Sequence, residues 1–260
     1  MDAALTTSNN ATTLGGGAFN NTEIYFNAAE DLGNGLKAEI SYEITNTPQA
    51  ATSALSSYNS FIGLSGDFGG VKLGNPVTPF FLATTIADGT GRANGGIDII
   101  SGAGLNNLVT PQSITYTSPT VSGVSLSYLT TMATGAGTTS YALNYATGGL
   151  KAAYASTTKS GNTDTLLAAS YDFGVATAHY GYGTAESSTT NQKVNTIGVT
   201  VPFGALSVHY GMQKGEDTTV AKTLLSYGLS KRTTAYVLYS DDGTTAATAT
   251  TTIVGLKHAF

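Results

Sequence analysis

The stretch LKAEISYEI, residues 36 to 44, alternates apolar and polar side chains at every position. Successive side chains of a β-strand point to opposite faces, so this period of two predicts a strand with two different faces. Two carboxylates and a lysine cannot face lipid at low cost, so the polar face is expected to meet water. The apolar face holds Leu36, Ala38, Ile40, Tyr42 and Ile44, and the polar face holds Lys37, Glu39, Ser41 and Glu43.

The same division recurs further along the chain. Leu206, Val208 and Tyr210 alternate with Ser207, His209 and Gly211, and Leu143 and Tyr145 flank Asn144. Segments of this kind, each about ten residues long, follow one another as in an outer-membrane barrel. We count about fifteen between residues 22 and 260, and a shortened one at residues 2–7 makes about sixteen.

The composition favours a membrane protein without membrane-spanning helices. Charged residues make up 10% of the chain, whereas a soluble domain carries about 25%. No run approaches the roughly 18 consecutive apolar residues of a transmembrane helix. A sheet closed on itself is the other structure that satisfies every backbone amide in hydrocarbon. The sequence therefore predicts an all-β transmembrane antiparallel barrel, with residues 1–260 as a single domain.

Charge, cysteine content and the opening residues bear on partners, covalent cross-links and targeting. The net charge of −5 is modest and unclustered, so no nucleic-acid partner is expected. The absence of cysteine excludes a disulfide framework and a thiolate metal site. The opening residues Met1 to Ala4 lack a basic region followed by an apolar core, so the sequence is interpreted as a mature form without a signal peptide.

The connections between predicted strands are of two kinds. Gly and Asp in tight turns supply the positive φ angles and local hydrogen bonds that hairpins need. Longer Thr/Ala/Ser/Gly-rich connections lie between these turns, and short turns at one rim with longer loops at the other are typical of bacterial outer-membrane barrels. The tight turns are residues 31–35 (DLGNG), 67–70 (DFGG), 147–149 (TGG), 172–174 (DFG), 202–204 (PFG) and 230–233 (SKRT).

One connection, residues 76–109, is much longer than the others. Unstructured connections of this length are uncommon and usually functional. A sixteen-stranded barrel encloses a channel too wide for its own side chains to fill. We therefore predict that this loop folds inward and constricts the pore, with Asp88, Arg92 and Asp98 as its charged residues. The alternative is a mobile external loop.

Four phenylalanines lie at or beside the tight turns: Phe68, Phe173, Phe203 and Phe260. An aromatic girdle at the membrane interface would place rings there. In a soluble β-protein the same rings would cap a core. Their common rim favours the girdle.

Several motifs resemble a known family, the general diffusion porins of Gram-negative bacteria, in particular a proteobacterial group with short barrels and a terminal phenylalanine. The resemblance extends over nearly the whole chain, and the ending is its most specific part. The motifs are AEDLGNGLKA (29–38), SFIGLSGDFG (60–69) with VKLG (71–74), SITYTSP (113–119), SKRT (230–233) and VGLKHAF (254–260).

The resemblance implies an outer-membrane homotrimer with one pore per subunit, a third loop folded into each lumen, and passive diffusion of small hydrophilic solutes and ions. It also implies that the chain end, with His258 and Phe260, is an assembly signal. The residues expected on the pore wall, from the alternation and from this resemblance, are Glu23, Asn27, Lys37, Glu39, Tyr58, Asn75, Thr115 and Lys257.

The chain departs from the family in its lumen charges. Where the family usually has lumen-facing arginines, this chain has Glu23, Tyr58, Asn75 and Thr115, and Asn27 replaces a common lysine. Charges lining a narrow pore select ions by sign. We therefore expect weak selectivity that leans towards cations, and the alternative is selectivity set by pore diameter alone.

Other classes of function fit less well. His179, His209 and His258 are assigned to three non-neighbouring strands, whereas a metal site or a catalytic dyad needs its members within a few ångströms. No catalytic residue, metal or cofactor is therefore predicted. A barrel enzyme would need Ser, His and an acid brought together. A surface-exposed adhesin or soluble β-sandwich without a pore would need polar residues on the faces assigned to lipid.

Overall fold

The computed structural model describes residues 1–9, 11–19, 22–46, 56–91, 109–132, 137–186, 191–216, 218–244 and 248–260. These residues form eighteen strands, and all but the two-residue β5 have at least five residues. The strands are β1 (Asp2–Ser8), β2 (Ala11–Gly16), β3 (Thr22–Gly33), β4 (Leu36–Asn46), β5 (Ser56–Ser57), β6 (Ser60–Gly66), β7 (Gly69–Asn75), β8 (Ser113–Thr117), β9 (Val124–Thr131), β10 (Thr138–Thr147), β11 (Leu150–Lys159), β12 (Asn162–Asp172), β13 (Thr177–Glu186), β14 (Asn191–Phe203), β15 (Leu206–Lys214), β16 (Thr218–Gly228), β17 (Thr233–Thr244) and β18 (Thr248–His258).

The strands form one antiparallel barrel. From β3 to β18 each pairs with its neighbours in chain order, the short β5 lying beside β4, and β18 then pairs with β1 and β1 with β2. Within the described residues β2 pairs only with β1 and β3 only with β4, so the barrel is nearly closed. The predicted fold class is confirmed.

The strand count agrees with the prediction except at β2. Fifteen strands longer than two residues lie between residues 22 and 260, and the shortened first strand extends to Ser8. The additional strand β2, with the sequence ATTLGG, has one large apolar side chain, Leu14, and so carries no visible alternation. Its strand conformation depends on pairing with β1, in which Leu14 lies opposite Leu5.

The predicted tight turns all lie at one end of the barrel, here called the short-turn rim. Asn34 and Gly35 both have positive φ, 52° and 77°, in the connection from β3 to β4. Gly148 and Gly204 have φ of 53° and 63° in two further turns of this rim. Glycine and asparagine tolerate this region of backbone conformation better than other residues.

The opposite rim differs from the expectation of uniformly longer loops. β11 and β12 are joined by only two residues, Ser160 and Gly161, with φ of 54° and 81°. Two consecutive residues with positive φ make a tight hairpin turn whose twist matches that of the flanking strands. Ser160 and Gly161, which in the sequence resemble part of a longer polar loop, therefore close a tight hairpin.

The segment after β7 contains a helix, α1 (Pro79–Ala87), which is the one helix of the described part of the chain. It contacts strands β9 to β14. Across the described ranges there is no helix that is both long enough and apolar enough to cross a membrane.

The alternation of side chains continues around the barrel through the strand register. Residues directly opposite each other in antiparallel strands point to the same face. Glu39 lies opposite Gly63, Gly63 opposite Lys72 and Lys72 opposite Thr115, which gives one face. Ile40, Ile62 and Leu73 form the other face, and each is about half exposed. The first face points into the barrel, and the second is the outer, apolar surface.

Most of the buried apolar side chains of the described residues lie inside the barrel in two clusters. One lies under α1 and includes Ala142, Ala153 and Leu166 of the inner wall. The other lies on the inner faces of β1 and β16–β18 and is covered by Ala18 and Phe19. The core is therefore made by two segments that fold inward onto the wall.

Candidate pore and its constriction

Helix α1 begins at a capped N-terminus. The Thr78 hydroxyl accepts a hydrogen bond from the Phe81 amide at 3.2 Å, and Pro79 occupies the first turn. Thr at the N-cap and Pro in the first turn are common signals for the start of a helix. This helix was not predicted from the sequence, although Thr78 and Pro79 were a signal that could have indicated it.

One face of α1 packs against small side chains of the barrel wall. Phe80, Ala83 and Ala87 recur at helical spacing and are buried. An alanine-rich wall allows a helix to approach a sheet closely, because short side chains leave little separation. The wall residues in this cluster are Ala142, Ala153, Ala155, Leu166, Ala168 and Ala185.

Residues 79–89, here called the α1 segment, are hydrogen-bonded to the inner wall of the barrel at both ends. The Phe80 amide donates to the Ser140 hydroxyl at 3.1 Å. Beyond the middle of the helix, His179 Nδ1 lies 2.9 Å from the Ile86 carbonyl oxygen. The Thr200 hydroxyl donates to the Gly89 carbonyl at 3.0 Å. The helix is thus fixed to the inner wall and cannot be an external loop.

Backbone contact fixes the segment after α1 further. A Cβ atom on Gly89 would lie 2.8 Å from Gly198 Cα, and one on Gly198 would lie 2.8 Å from Gly89 Cα. Real Cβ atoms essentially never come so close to backbone. Glycine at both positions therefore allows the segment to touch β14 directly.

The three histidines lie on three non-neighbouring strands, as predicted, but two of them face the same inward segment. His179 on β13 and His209 on β15 flank a single strand and both face the end of the α1 segment. His209 Nδ1 lies 3.3 Å from the Thr200 hydroxyl, which binds Gly89. The alternation placed His209 on the polar face of its strand, but only the tertiary fold of the long loop brings His179 and His209 to one segment.

His258 lies elsewhere, at the short-turn rim, where its Nδ1 is 3.0 Å from the Thr233 hydroxyl. Among the described residues, no group of three or more His, Asp or Glu side chains is arranged to hold a metal ion.

The predicted constriction charges are only partly described. Asp88 is 4% exposed, and its Oδ1 accepts hydrogen bonds from the Thr90 amide at 2.8 Å and the Thr90 hydroxyl at 2.6 Å. This carboxylate therefore stabilises the turn after α1. Arg92 and Asp98 lie outside the described residues.

Opposite α1, the inner faces of β3 to β9 form a surface that we call the polar wall. A cavity of about 490 Å³ lies between this wall and the start of the α1 segment. Leu82, on the exposed side of the helix, is one of its lining residues. Polar wall residues that line the cavity are Asn27, Glu39, Ser41, Lys72, Thr115, Thr117 and Ser127.

An ion pair lies on the polar wall. Lys72 Nζ is 3.4 Å from Glu39 Oε1, with both side chains partly exposed to water. The same ammonium lies 4.1 Å from the centre of the Phe61 ring. Gly63, opposite Glu39, leaves the space that the carboxylate occupies. Glu39 was among the predicted wall residues and Lys72 was not, although Lys72 alternates with the apolar Val71 and Leu73 as a lumen residue does.

Acidic side chains lie towards the far end of the same wall. Glu23 is opposite Thr45 and Glu43 is opposite Tyr25, so both carboxylates are on inner faces of adjacent strands. The Tyr25 hydroxyl donates a hydrogen bond to Glu23. Asn27 and Lys37 share this inner face, opposite Ser41 and Ser65.

Tyr58, between β5 and β6, and Asn75, at the end of β7, meet beside β4. The Asn75 side-chain amide donates to the Tyr58 carbonyl, and the Tyr58 amide donates to the Glu43 carbonyl at 3.0 Å. Asn75 is partly buried in this contact. These two residues connect the strand ends, and their role in the pore stays a prediction.

Lys257 lies on the inner face of β18, opposite Asp2 and Thr234. Three further charged side chains, Lys151, Asp164 and Lys222, also occupy inner-face positions, and Asp164 and Lys222 are buried there. The predicted rim phenylalanines are exposed at the short-turn rim, where Phe173 packs on Tyr171 with ring centres 4.6 Å apart.

Comparison with known proteins identifies the class to which this barrel belongs. The sequence profile described as Gram-negative porin matches residues 1–247. The chain therefore belongs to the Gram-negative porin family. It is an outer-membrane channel through which small hydrophilic solutes diffuse passively.

Solved porin structures share the fold at low sequence identity. An anion-selective porin from Comamonas acidovorans is 21% identical with a TM-score of 0.83, covering 100% of this chain and 97% of the other. OmpF of Salmonella typhi, solved in complex with daunomycin, is 13% identical with a TM-score of 0.81 and coverages of 100% and 95%. OmpT of Vibrio cholerae in its trimer form is 13% identical with a TM-score of 0.75 and coverages of 100% and 97%. No curated protein matches the sequence.

Proposed function

We propose that this porin is a weakly selective diffusion pore that favours small cations over anions. The observation that carries the proposal is the distribution of charge on the polar wall. Lys72 is paired with Glu39 beside the cavity, so the basic charge nearest the start of α1 is neutralised. Two acidic side chains lie on adjacent strands of the same wall, the partly exposed Glu23 and Glu43, which is 4% exposed. An acidic excess along a narrow pore favours cations.

The anion selectivity stated for the Comamonas acidovorans porin describes that protein. At 21% identity the likeness concerns the fold, whereas ion selectivity depends on individual lumen side chains. In this chain those side chains favour the opposite sign.

Reversal potential in a planar bilayer, measured across a salt gradient, tests the proposal. We expect a small potential of the sign given by cation preference. Glu23→Gln combined with Glu43→Gln should move it towards zero, because two lumen carboxylates are lost. Lys72→Gln should move it towards stronger cation preference, because Glu39 then loses its ion pair.

Glu30→Gln is the matched control, since Glu30 is exposed and lies opposite Ala38 on the outer face of the same strand. A clear anion preference of the unmodified channel would contradict the proposal. So would a double variant with the same reversal potential as the unmodified channel.

We further propose that residues 1–260 act as one barrel domain with residues 76–109 as its constriction loop. Asp88, Arg92 and Asp98 are its proposed charged residues. The described part of the loop supports this, because α1 is hydrogen-bonded to the inner wall at both ends. The proposed pore wall keeps Glu23, Asn27, Lys37, Glu39, Tyr58, Asn75, Thr115 and Lys257, with Lys72 added.

A homotrimer embedded in outer-membrane lipid is proposed as the working assembly, with His258 and Phe260 as its assembly signal and with no catalytic activity. The trimer form of the Vibrio cholerae porin and the apolar outer surface of this barrel support the trimer. We expect each inserted protein to close in three equal conductance steps. We also expect a heat-modifiable band on a detergent gel. A single closure step for each inserted protein would contradict the trimer.

A further inference from the structure

A second segment of the chain folds into the lumen, on the side away from α1. After β2 the chain leaves the sheet, and Ala18 is 3% exposed against Leu224, Leu238 and Ile253. The register places these three side chains on one face, while their neighbours Leu225, Val237 and Val254 are exposed outside. Residues 17–19, here called the second inward segment, therefore cover the inner faces of β16–β18.

A buried hydrogen-bond network holds this segment. Asp2 is 1% exposed; its Oδ2 accepts from the Phe19 amide at 2.9 Å and its Oδ1 accepts from the Tyr236 hydroxyl at 2.7 Å. The Tyr236 hydroxyl in turn accepts from the Ala18 amide at 2.7 Å. The Gly17 amide donates to the Asp2 carbonyl at 3.2 Å. Three consecutive amides of the segment are thus satisfied by one carboxylate, one phenol and one carbonyl.

The side chain of Phe19 completes the arrangement. Its ring packs edge-on against Tyr236, with centres 4.9 Å apart and planes at 88°. Lys257 Nζ lies 5.3 Å from the centre of the Phe19 ring. Phe19 is only partly buried, so part of the ring faces the lumen beside a cationic side chain.

Two glycines make room for the network. A Cβ atom on Gly17 would lie 1.7 Å from the Asp2 carboxylate, and one on Gly255 would lie 2.2 Å from the Tyr236 hydroxyl. A larger residue at either position would displace the Asp2 carboxylate or the Tyr236 phenol. The sequence around the segment is therefore fitted to this buried contact.

We propose that the second inward segment is a second constriction of the pore, held by Asp2 and Tyr236 and presenting Phe19 and Lys257 to permeating solutes. Residues 79–87 and 17–19 cover two different apolar parts of the inner wall. The polar wall of β3–β9 is left to line the water-filled path. Solutes then pass the Phe19 ring and the Lys257 ammonium near the chain termini, in addition to the constriction formed by α1.

Thiol modification of a single cysteine tests the position of Phe19. The chain has no cysteine, so Phe19→Cys introduces a unique thiol while keeping the backbone amide that binds Asp2. Sulfonatoethyl methanethiosulfonate added to the open channel in a bilayer should lower conductance by roughly a third or more, because a charged group would occupy a narrow path. Leu14→Cys, on the outer face of β2, is the control and should show no change.

Removal of the phenol tests the clamp. Tyr236→Phe keeps the edge-on ring contact with Phe19 and deletes both hydrogen bonds of the hydroxyl. We expect greater open-channel noise and a conductance roughly one fifth higher or more, because the released segment narrows the path less. Tyr227→Phe, exposed on the outer face at the same rim, should leave the trace unchanged.

The second constriction rests on the proposed function, namely that the chain conducts as a porin. The single-channel current of the unmodified protein tests that conduction separately. A conducting Phe19→Cys channel whose conductance is unaffected by the reagent would overturn the second constriction. An unchanged trace for correctly folded Tyr236→Phe would overturn the clamp. If Tyr236→Phe does not fold, as judged by heat modifiability, the cysteine experiment alone decides.

Discussion

At the scale of single residues, the pore depends on positions where a side chain is absent. Gly89 and Gly198 touch through their backbones, although they are more than a hundred positions apart in the sequence. Gly63 provides the space for Glu39, and Gly17 provides the space for Asp2. In an interior packed as densely as a protein core, an added methyl group at such a contact must displace its neighbours.

Gly198→Ala is expected to displace the end of the α1 segment, because the new Cβ would lie 2.8 Å from Gly89 Cα. Overpacking of this kind costs about 1–3 kcal/mol. The free energy of unfolding from urea titration in detergent should fall by that amount, and single-channel conductance should change. Gly16→Ala is the control, since a Cβ there would meet nothing within 4 Å. Equal stability of the two variants would contradict the contact.

At the scale of elements, α1 is held by side chains of strands that are distant in sequence. Its buried face rests on an alanine-rich wall, Ser140 and His179 bind its two ends, and Thr200 binds Gly89 just after it. The helix is short and apolar, and an isolated helix of this length is not stable in water. Its conformation therefore depends on the barrel around it.

Thr200→Val is expected to loosen the segment after α1. The substitution keeps the shape of the side chain and removes the hydroxyl that donates to the Gly89 carbonyl. One such hydrogen bond contributes about 1 kcal/mol, so the effect should appear as more frequent brief conductance changes and not as loss of the barrel. Thr223→Val, on the outer face opposite Tyr210, provides the comparison. Indistinguishable noise in the two variants would contradict the anchoring role of Thr200.

At the scale of the whole molecule, the two faces of the sheet meet different solvents. Large apolar and aromatic side chains are exposed on the outside, and polar side chains with the two inward segments occupy the inside. The arrangement agrees with an antiparallel barrel in lipid, where outward apolar positions alternate with inward polar positions.

Leu167→Arg is expected to destabilise the barrel in a bilayer by about 2–4 kcal/mol, the cost of arginine near the membrane midplane on a lipid-facing strand. Leu167 is 51% exposed near the middle of β12, beside Leu166, which is buried under α1. Unfolding titrations in lipid vesicles measure the effect. Thr117→Arg, at a position that lines the lumen cavity, should cost much less. Similar losses for both variants would mean that the face assigned to lipid is wrong.

The sequence by itself determined the barrel, its tight turns and the face on which each strand residue lies. This was possible because strand alternation and turn chemistry are local: LKAEISYEI shows both faces, and Asn34-Gly35 shows the turn. The same local reasoning placed Lys37, Glu39 and Lys257 on the inner face. It failed at β2, whose small residues adopt a strand only by pairing with β1.

Only the tertiary structure decided what fills the barrel. The pairing of Lys72 with Glu39, the binding of one segment by His179 and Thr200, and the burial of Asp2 with Tyr236 join residues from different strands. Local periodicity specifies the face of a side chain but not its neighbours across the lumen. Those neighbours depend on how the sheet closes and on where the two inward segments lie against its wall.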